Sequence, residues 1–310
     1  MKIVFFGTSP FAARILSFLL SQNVEILAVV TRPDRPRGRS QQLTPPPVKE
    51  ALNQDIPVHQ PEKASTPEFA ATLAEYKADL FVVVAYGEII KQNILDIPKW
   101  GCINIHASLL PKYRGAAPMQ RCLLAGDPLT GVTIIEMVLK MDAGDMLGTA
   151  EVAVSPSMTC GELEEKLVTA SCPLLLKILH DFEQGTVKRI PQNQDGVTFA
   201  HKITPEDEKI NWTDPAQDLH NRIRALSPAP GAWCTLWVGS EAKRLKIKRS
   251  APILEKKGQP GEILVFDAKE GLQIACGQGA LALLEVQLEG KKTMKTEDFI
   301  KGVHCSISFL

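Results

Sequence analysis

The sequence predicts an α/β protein, a doubly wound and mostly parallel sheet followed by a small OB-like β-barrel. Two observations carry this expectation. In the N-terminal half, short uninterrupted apolar runs alternate with segments of helical spacing. In the C-terminal third, five short strand-like runs are separated by Gly-rich turns. A polar stretch between them, through Pro191-Gln192-Asn193-Gln194-Asp195-Gly196, divides the chain into a domain over 1–190, a linker over 191–207 and a barrel over 208–310.

Lys2-Ile3-Val4-Phe5-Phe6-Gly7 reads as a buried strand ending in a turn. Phe11, Ile15, Phe18 and Leu19 then mark a helix through Gln22. Val24 to Thr31 and Leu80 to Ala85 are further strands, with helices near Val48 to Gln54 and Pro67 to Tyr76. Gly7-Thr8-Ser9-Pro10 stands where a dinucleotide fingerprint would begin, but it has one glycine, so NAD and FAD are excluded. Beyond Gly161 leucines recur at helical spacing. A short helix over Ala216 to Ala225 precedes strands at Ala232 to Val238, Arg244 to Arg249, Gly261 to Phe266, Gly271 to Ala275 and Ala280 to Val286.

Composition sets bounds on function. The 310 residues are 45% hydrophobic and 23% charged, with a formal net charge of +0, so no global field favours nucleic acid and any basic surface must be local. Seven cysteines without a C-x-x-C suggest neither a disulfide framework nor a zinc site. No apolar run approaches the roughly 18 residues of a spanning helix, and the expectation is a cytoplasmic protein with no membrane partner, acting as a monomer.

The densest chemical signal is Gly101 to Pro118. On a strand, Asn104 and His106 share one face, at the carboxyl edge where such sheets bind ligands. An amide donor beside an imidazole suits chemistry that builds negative charge on a carbonyl oxygen; a capped strand with a satisfied histidine is the plain alternative. Ser108-Leu109-Leu110-Pro111 and Lys112-Tyr113-Arg114-Gly115 form a following loop, either a ligand contact or a solvated turn. A second signal is the strand Gly131 to Met137, followed by the turn Asp142-Ala143-Gly144-Asp145. With no further ligand residues in sequence, this turn gives no metal site.

The pairing of N-x-H-x-S-L-L-P-x-Y-R-G with a downstream G-V-T and M-D-A-G-D resembles the folate-dependent formyltransferases. The resemblance implies a catalytic trio of Asn104, His106 and Asp142 and, as co-substrate, 10-formyltetrahydrofolate. Its pterin would bind along Ala85, Tyr86, Gly87, Glu88, Ile89 and Ile90, with Ser108, Leu109, Leu110 and Pro111 lining the same pocket. Thr31 to Lys49 closely resembles a loop of the methionyl-tRNA formyltransferases. It holds five basic residues against one acidic, a local +4, and is a plausible acceptor-stem contact through Arg35, Arg37 and Arg39. His220 to Ala232 and Leu284 to Lys292 match as well. Arg244, Lys246 and Lys248 alternate with apolar residues and give a basic stripe suited to an RNA backbone, or a plain exposed sheet face. The resemblance thus implies a catalytic formyltransferase domain, a tRNA-binding barrel and methionyl-tRNA as partner. Lys140 and Ala229 depart from the family pattern, which commonly has Gly and a bulky aromatic there. A related formyltransferase or a formyl-folate hydrolase acting on a small molecule would share the trio. A non-catalytic RNA-binding module would have little use for it.

Overall fold

The computed structural model describes residues 1–37, 42–52, 55–303 and 306–309. The chain runs β1 (Lys2–Gly7), α1 (Pro10–Ser21), β2 (Glu25–Val30), β3 (Arg35–Arg37), β4 (Gln42–Thr44), α2 (Pro47–Glu50), β5 (Val58–His59), α3 (Pro67–Glu75), β6 (Leu80–Val84), α4 (Gln92–Leu95), β7 (Cys102–His106) and β8 (Arg114–Gly115). Then come α5 (Pro118–Ala125), β9 (Leu129–Glu136), β10 (Met146–Ala153), α6 (Cys160–Gln184), β11 (Phe199–Ala200), α7 (Pro205–Glu208) and α8 (Ala216–Ala225). The remainder is β12 (Ala232–Val238), β13 (Glu241–Ile253), β14 (Ile263–Asp267), β15 (Gly271–Ala275), β16 (Ala280–Leu288), β17 (Met294–Lys295), α9 (Thr296–Lys301) and β18 (Ile307–Phe309).

These elements form two compact units. The first comprises Met1–Pro118, Leu129–Ala153 and Glu164–Ala200; the second comprises Met119–Pro128, Val154–Leu163 and His201–Leu310. The stretch 191–207, expected to be a linker, is divided between them. Residues to Ala200 are built into the first unit, because Gln192 is buried there and β11 pairs in parallel with β8.

In the first unit the sheet order is β10-β9-β7-β6-β1-β2-β5, with only β9 running against the rest and pairing antiparallel to β7 and β10. The chain builds outward from β1 through β2 to β5, then returns to the other side of β1 for β6 and β7. That reversal opens a crevice at the carboxyl ends of β1, β6 and β7. The apolar runs form these central strands because both faces are covered. Ile3 to Phe6 and Leu80 to Phe81 are fully buried, each side chain worth about 1.5–3 kcal/mol. Ser9 caps α1 by accepting from the Ala12 N–H at 3.3 Å, and Pro10 starts the helix. Gly7 serves packing: a Cβ there would lie 2.7 Å from the Ala12 Cβ and 3.2 Å from the Val84 carbonyl oxygen.

The second unit is a nearly closed antiparallel β-barrel of order β14-β15-β16-β13-β12-β18, with β17 on β16. Leu245 and Ile247 of β13, Leu236 of β12 and Leu281 of β16 meet in one core with Leu219 and Ile223 of α8. The motif His220 to Ala225 is largely structural. Arg224 is buried and donates to Asn221 Oδ1 and to the carbonyls of Leu123 and Ser155. His220 donates from Nε2 to the Pro156 carbonyl at 2.9 Å, so its Nδ1 accepts from the Ser250 hydroxyl at 3.1 Å. Burial therefore favours the neutral ring and holds His220 below its ordinary value of 6.5.

Two outcomes follow. Phe81→Ala should cost about 3–5 kcal/mol, read as a lower urea midpoint for the first unit. A ring kept neutral in the folded state binds fewer protons than the unfolded chain below 6.5, so its contribution to stability falls as pH drops through that value. Denaturant midpoints at about pH 7.5 and about pH 5.5 should differ more in the wild type than in His220→Gln.

Candidate active site

The carboxyl ends of β6 and β7 open onto a cavity of about 390 Å³, within the usual range for small-molecule sites. One wall is the turn Ala85 to Ile90 after β6. Another is Ile135 at the end of β9 with Met137, Val138, Leu139 and Met141 beyond it, and Asn104, Gly115, Ala116 and Asp142 complete the lining. Ile89, Val138, Leu139 and Met141 are large apolar side chains that stay exposed at this cavity. Such a surface suits a flat, mostly apolar ligand held by a few polar groups.

Asn104, His106 and Asp142 come together although 38 residues separate the first from the last. β7 puts Asn104 and His106 on one face, and its register with β9 aligns Asn104 with Ile135. The turn after β9 then carries Asp142 back over both. Asp142 Oδ2 accepts the Gly115 N–H at 2.8 Å and lies 3.6 Å from His106 Nδ1, while Oδ1 is 3.4 Å from Asn104 Nδ2. His106 is only 5% exposed, behind the cavity wall that Asn104 and Asp142 form. Its Nε2 lies 2.9 Å from the Tyr113 carbonyl. A carbonyl only accepts, so the proton at Nε2 is committed and Nδ1, facing Asp142, is the exchangeable position. Asp142 adopts φ 50°, a left-handed conformation that a non-glycine residue keeps only when its surroundings enforce it. Gly144 is one of the enforcers, since a Cβ there would sit 1.8 Å from the Glu136 carbonyl oxygen.

The other residues singled out by sequence fall differently. Ser108, Leu109, Leu110 and Pro111 are not part of the cavity wall. Ser108 is fully buried and donates to the Lys112 carbonyl at 2.6 Å, and the Leu110 N–H donates to Thr133 Oγ1 at 3.0 Å. The segment faces inward because its polar groups are spent on β9 and on its own turn. Cys102 is held by the carbonyls of Ile94 and Leu95, and burial pushes its thiol up, away from nucleophilic use. Gln192 and Arg114 stand behind the trio, whereas the sequence places Gln192 in a linker and Arg114 in a loop that contacts ligand or solvent. The polarity of the stretch around Gln192 hides its burial, and the Pro- and Gly-bracketed basic tip around Arg114 reads as exposed although Arg114 is buried.

The basic segment Thr31 to Lys49 is less positive in three dimensions than along the chain. Arg32 pairs with Glu88, Arg35 with Glu62 at 2.9 Å, and Lys49 with Asp34 at 3.1 Å. Glu62 and Glu88 come from outside the segment and offset two of its charges. Arg37 ends β3, paired with Gln42 of β4; Arg39 lies outside the described residues. On the barrel, Arg244 stacks over the Trp233 ring at 4.2 Å and stays exposed. Lys246 and Lys248 share its face, but each donates to a loop carbonyl, of Pro230 at 2.7 Å and Pro228 at 2.8 Å.

Comparison with known proteins identifies the family. Residues 1–179 match the formyl transferase family model and residues 202–304 the formyl transferase C-terminal domain. The chain is 52% identical over 304 residues to the methionyl-tRNA formyltransferase of Protochlamydia amoebophila, covering 98% of this chain and 95% of that one. It is 46% identical to the methionyl-tRNA formyltransferase of Chlamydia muridarum, over 100% and 99% of the two chains. Among solved structures it resembles HypX from Aquifex aeolicus in complex with tetrahydrofolic acid, with TM-score 0.67 and 20% identity. That match covers 98% of this chain but only 48% of HypX, so the chain spans about half of that protein's length. An N-formyltransferase from Helicobacter canadensis in complex with folinic acid and dTDP-3-aminofucose is similar with TM-score 0.65 and 20% identity, over 91% and 98% of the chains. At such identities the structural likenesses show the fold, whereas the full-length sequence matches show the family: the chain belongs to the methionyl-tRNA formyltransferases.

Proposed function

We propose that this protein transfers the formyl group of 10-formyltetrahydrofolate to the α-amino group of methionine on initiator tRNA. The observation that carries the reading is the convergence of Asn104 and Asp142 on one cavity wall with His106 directly behind. In this reading the pterin lies along Ala85 to Ile90 and the apolar residues Val138, Leu139 and Met141. Ser108 to Pro111 brace the wall from behind.

The amine attacks the formyl carbon on N10 and a tetrahedral intermediate forms. Asn104 donates an amide N–H to the oxyanion. Its second N–H is available for this, because only one is directed at Asp142. The attacking amine must lose a proton and N10 must gain one as the C–N10 bond breaks. The Asp142 carboxylate on the cavity wall and His106 Nδ1 behind it, 3.6 Å apart, form the relay that carries it. Asp142 also stabilises the imidazolium while the proton resides on the ring. Holding both substrates in one cleft supplies the proximity contribution.

The barrel stripe and the loop carrying Arg35, Arg37 and Arg39 are the proposed tRNA contacts. Arg244 is the best placed of the stripe, since stacking on Trp233 orders its guanidinium. Lys246 and Lys248 retain two donors each after their loop bonds.

The direct test incubates purified protein with 10-formyltetrahydrofolate and methionyl-tRNA and analyses the amino acid released from the RNA. Formyl-methionine is expected; formate released equally with and without charged tRNA would instead mark a hydrolase. Asn104→Ala and Asp142→Ala should each lower turnover on the order of 10²–10³-fold, leaving tRNA affinity within a few-fold. Arg244→Ala should weaken tRNA binding and reduce the salt slope of log K by about 1.

A further inference from the structure

Asp142 is the trio member that no regular strand holds, so its support decides whether the site is assembled. We propose that Gln192 is the positioning residue that sets Asp142, making the segment before the barrel part of the catalytic apparatus; this rests on the functional reading above. Gln192 is 6% exposed. Its Nε2 donates to the carbonyls of both Asp142 and Gly144, each at 2.8 Å. Its Oε1 accepts from Arg114 Nε at 3.1 Å and Nη2 at 2.7 Å. The orientation of the amide is fixed by chemistry: carbonyls only accept, and a guanidinium only donates.

The contacts close a ring. Arg114 precedes Gly115, whose N–H holds the Asp142 carboxylate from the other side. Gln192 therefore ties the strand that binds the Asp142 side chain to the turn that carries the Asp142 backbone. The same segment continues along that strand. The Tyr113 N–H donates to Thr198 Oγ1 at 2.8 Å, the Arg114 N–H to the Thr198 carbonyl at 2.9 Å, and the Ala116 N–H to the Ala200 carbonyl at 2.9 Å. Arg114 is 2% exposed, and a buried guanidinium requires acceptors. A hydrocarbon side chain at 192 would leave that guanidinium and two carbonyls short of partners, and a glutamate would set its carboxylate against the two carbonyls. Either change releases Asp142 from its left-handed conformation while leaving the cavity's folate wall, Ala85 to Ile90, unaltered.

The test compares Gln192→Met, which keeps the volume without the bonds, and Gln192→Glu, which keeps an acceptor for Arg114 but no donor for the turn. Each variant is assayed for formyl transfer to methionyl-tRNA and for binding of 5-formyltetrahydrofolate as a folding probe. The expected result is a fall in kcat of roughly 10- to 100-fold in both, with folate affinity and the KM for methionyl-tRNA within about twofold of wild type. A kcat within about twofold of wild type in either variant overturns the proposal. So does a raised tRNA KM at unchanged kcat, which would make the segment a tRNA-docking element, or loss of folate binding in both, which would make Gln192 a folding residue. Wild-type protein inactive on methionyl-tRNA would overturn the functional reading itself, a separate outcome.

Discussion

The site depends on one backbone constraint, the left-handed conformation of Asp142 after β9. A carboxylate on an ordinary turn there would point elsewhere, and the Gly115 N–H and His106 Nδ1 would lose a common partner. Gly144 permits the close pass beneath Glu136, and hydrogen bonds from Gln192 and Gly115 hold the turn from two sides. Such strain, typically about 1–3 kcal/mol, survives only where the surroundings over-determine it, and here buried polar groups do so.

The rest of the first unit brings chemistry to that turn. The parallel core places the ends of β6 and β7 side by side, so the Ala85 to Ile90 wall and Asn104 open onto one crevice. Antiparallel β9 then returns the chain across the same edge with its turn above β7. Polar groups that face away from the cavity are spent: Ser108 on its own turn, Thr133 on the Ser108 carbonyl, His106 Nε2 on Tyr113. What faces the cavity side is the second amide N–H of Asn104 and the Asp142 carboxylate, with His106 Nδ1 turned toward that carboxylate.

Charge behaves similarly. Along the chain the segment Thr31 to Lys49 is strongly basic, yet its stem is locked by ion pairs with Glu62, Glu88 and Asp34. In the barrel stripe, two of three cations also brace the loop at Pro228 to Pro230. Counting charges overstates an interaction surface when the fold supplies partners from distant sequence.

The sequence by itself determined the two architectures, the strands β1, β2, β6 and β7, most barrel strands, and the pairing of Asn104 with His106. These rest on local information: apolar periodicity, turn residues and the two-residue repeat of a strand. Tertiary structure decided what depends on distant contacts. It ended the helix near Val48 at Glu50, drew residues 191–200 into the first unit, and turned Ser108 to Pro111 inward, away from the cavity. It also chose Arg114 and Gln192 as supports. A buried amide and a surface amide look alike in sequence; only the position of two carbonyls and a guanidinium, brought together by folding, distinguishes them.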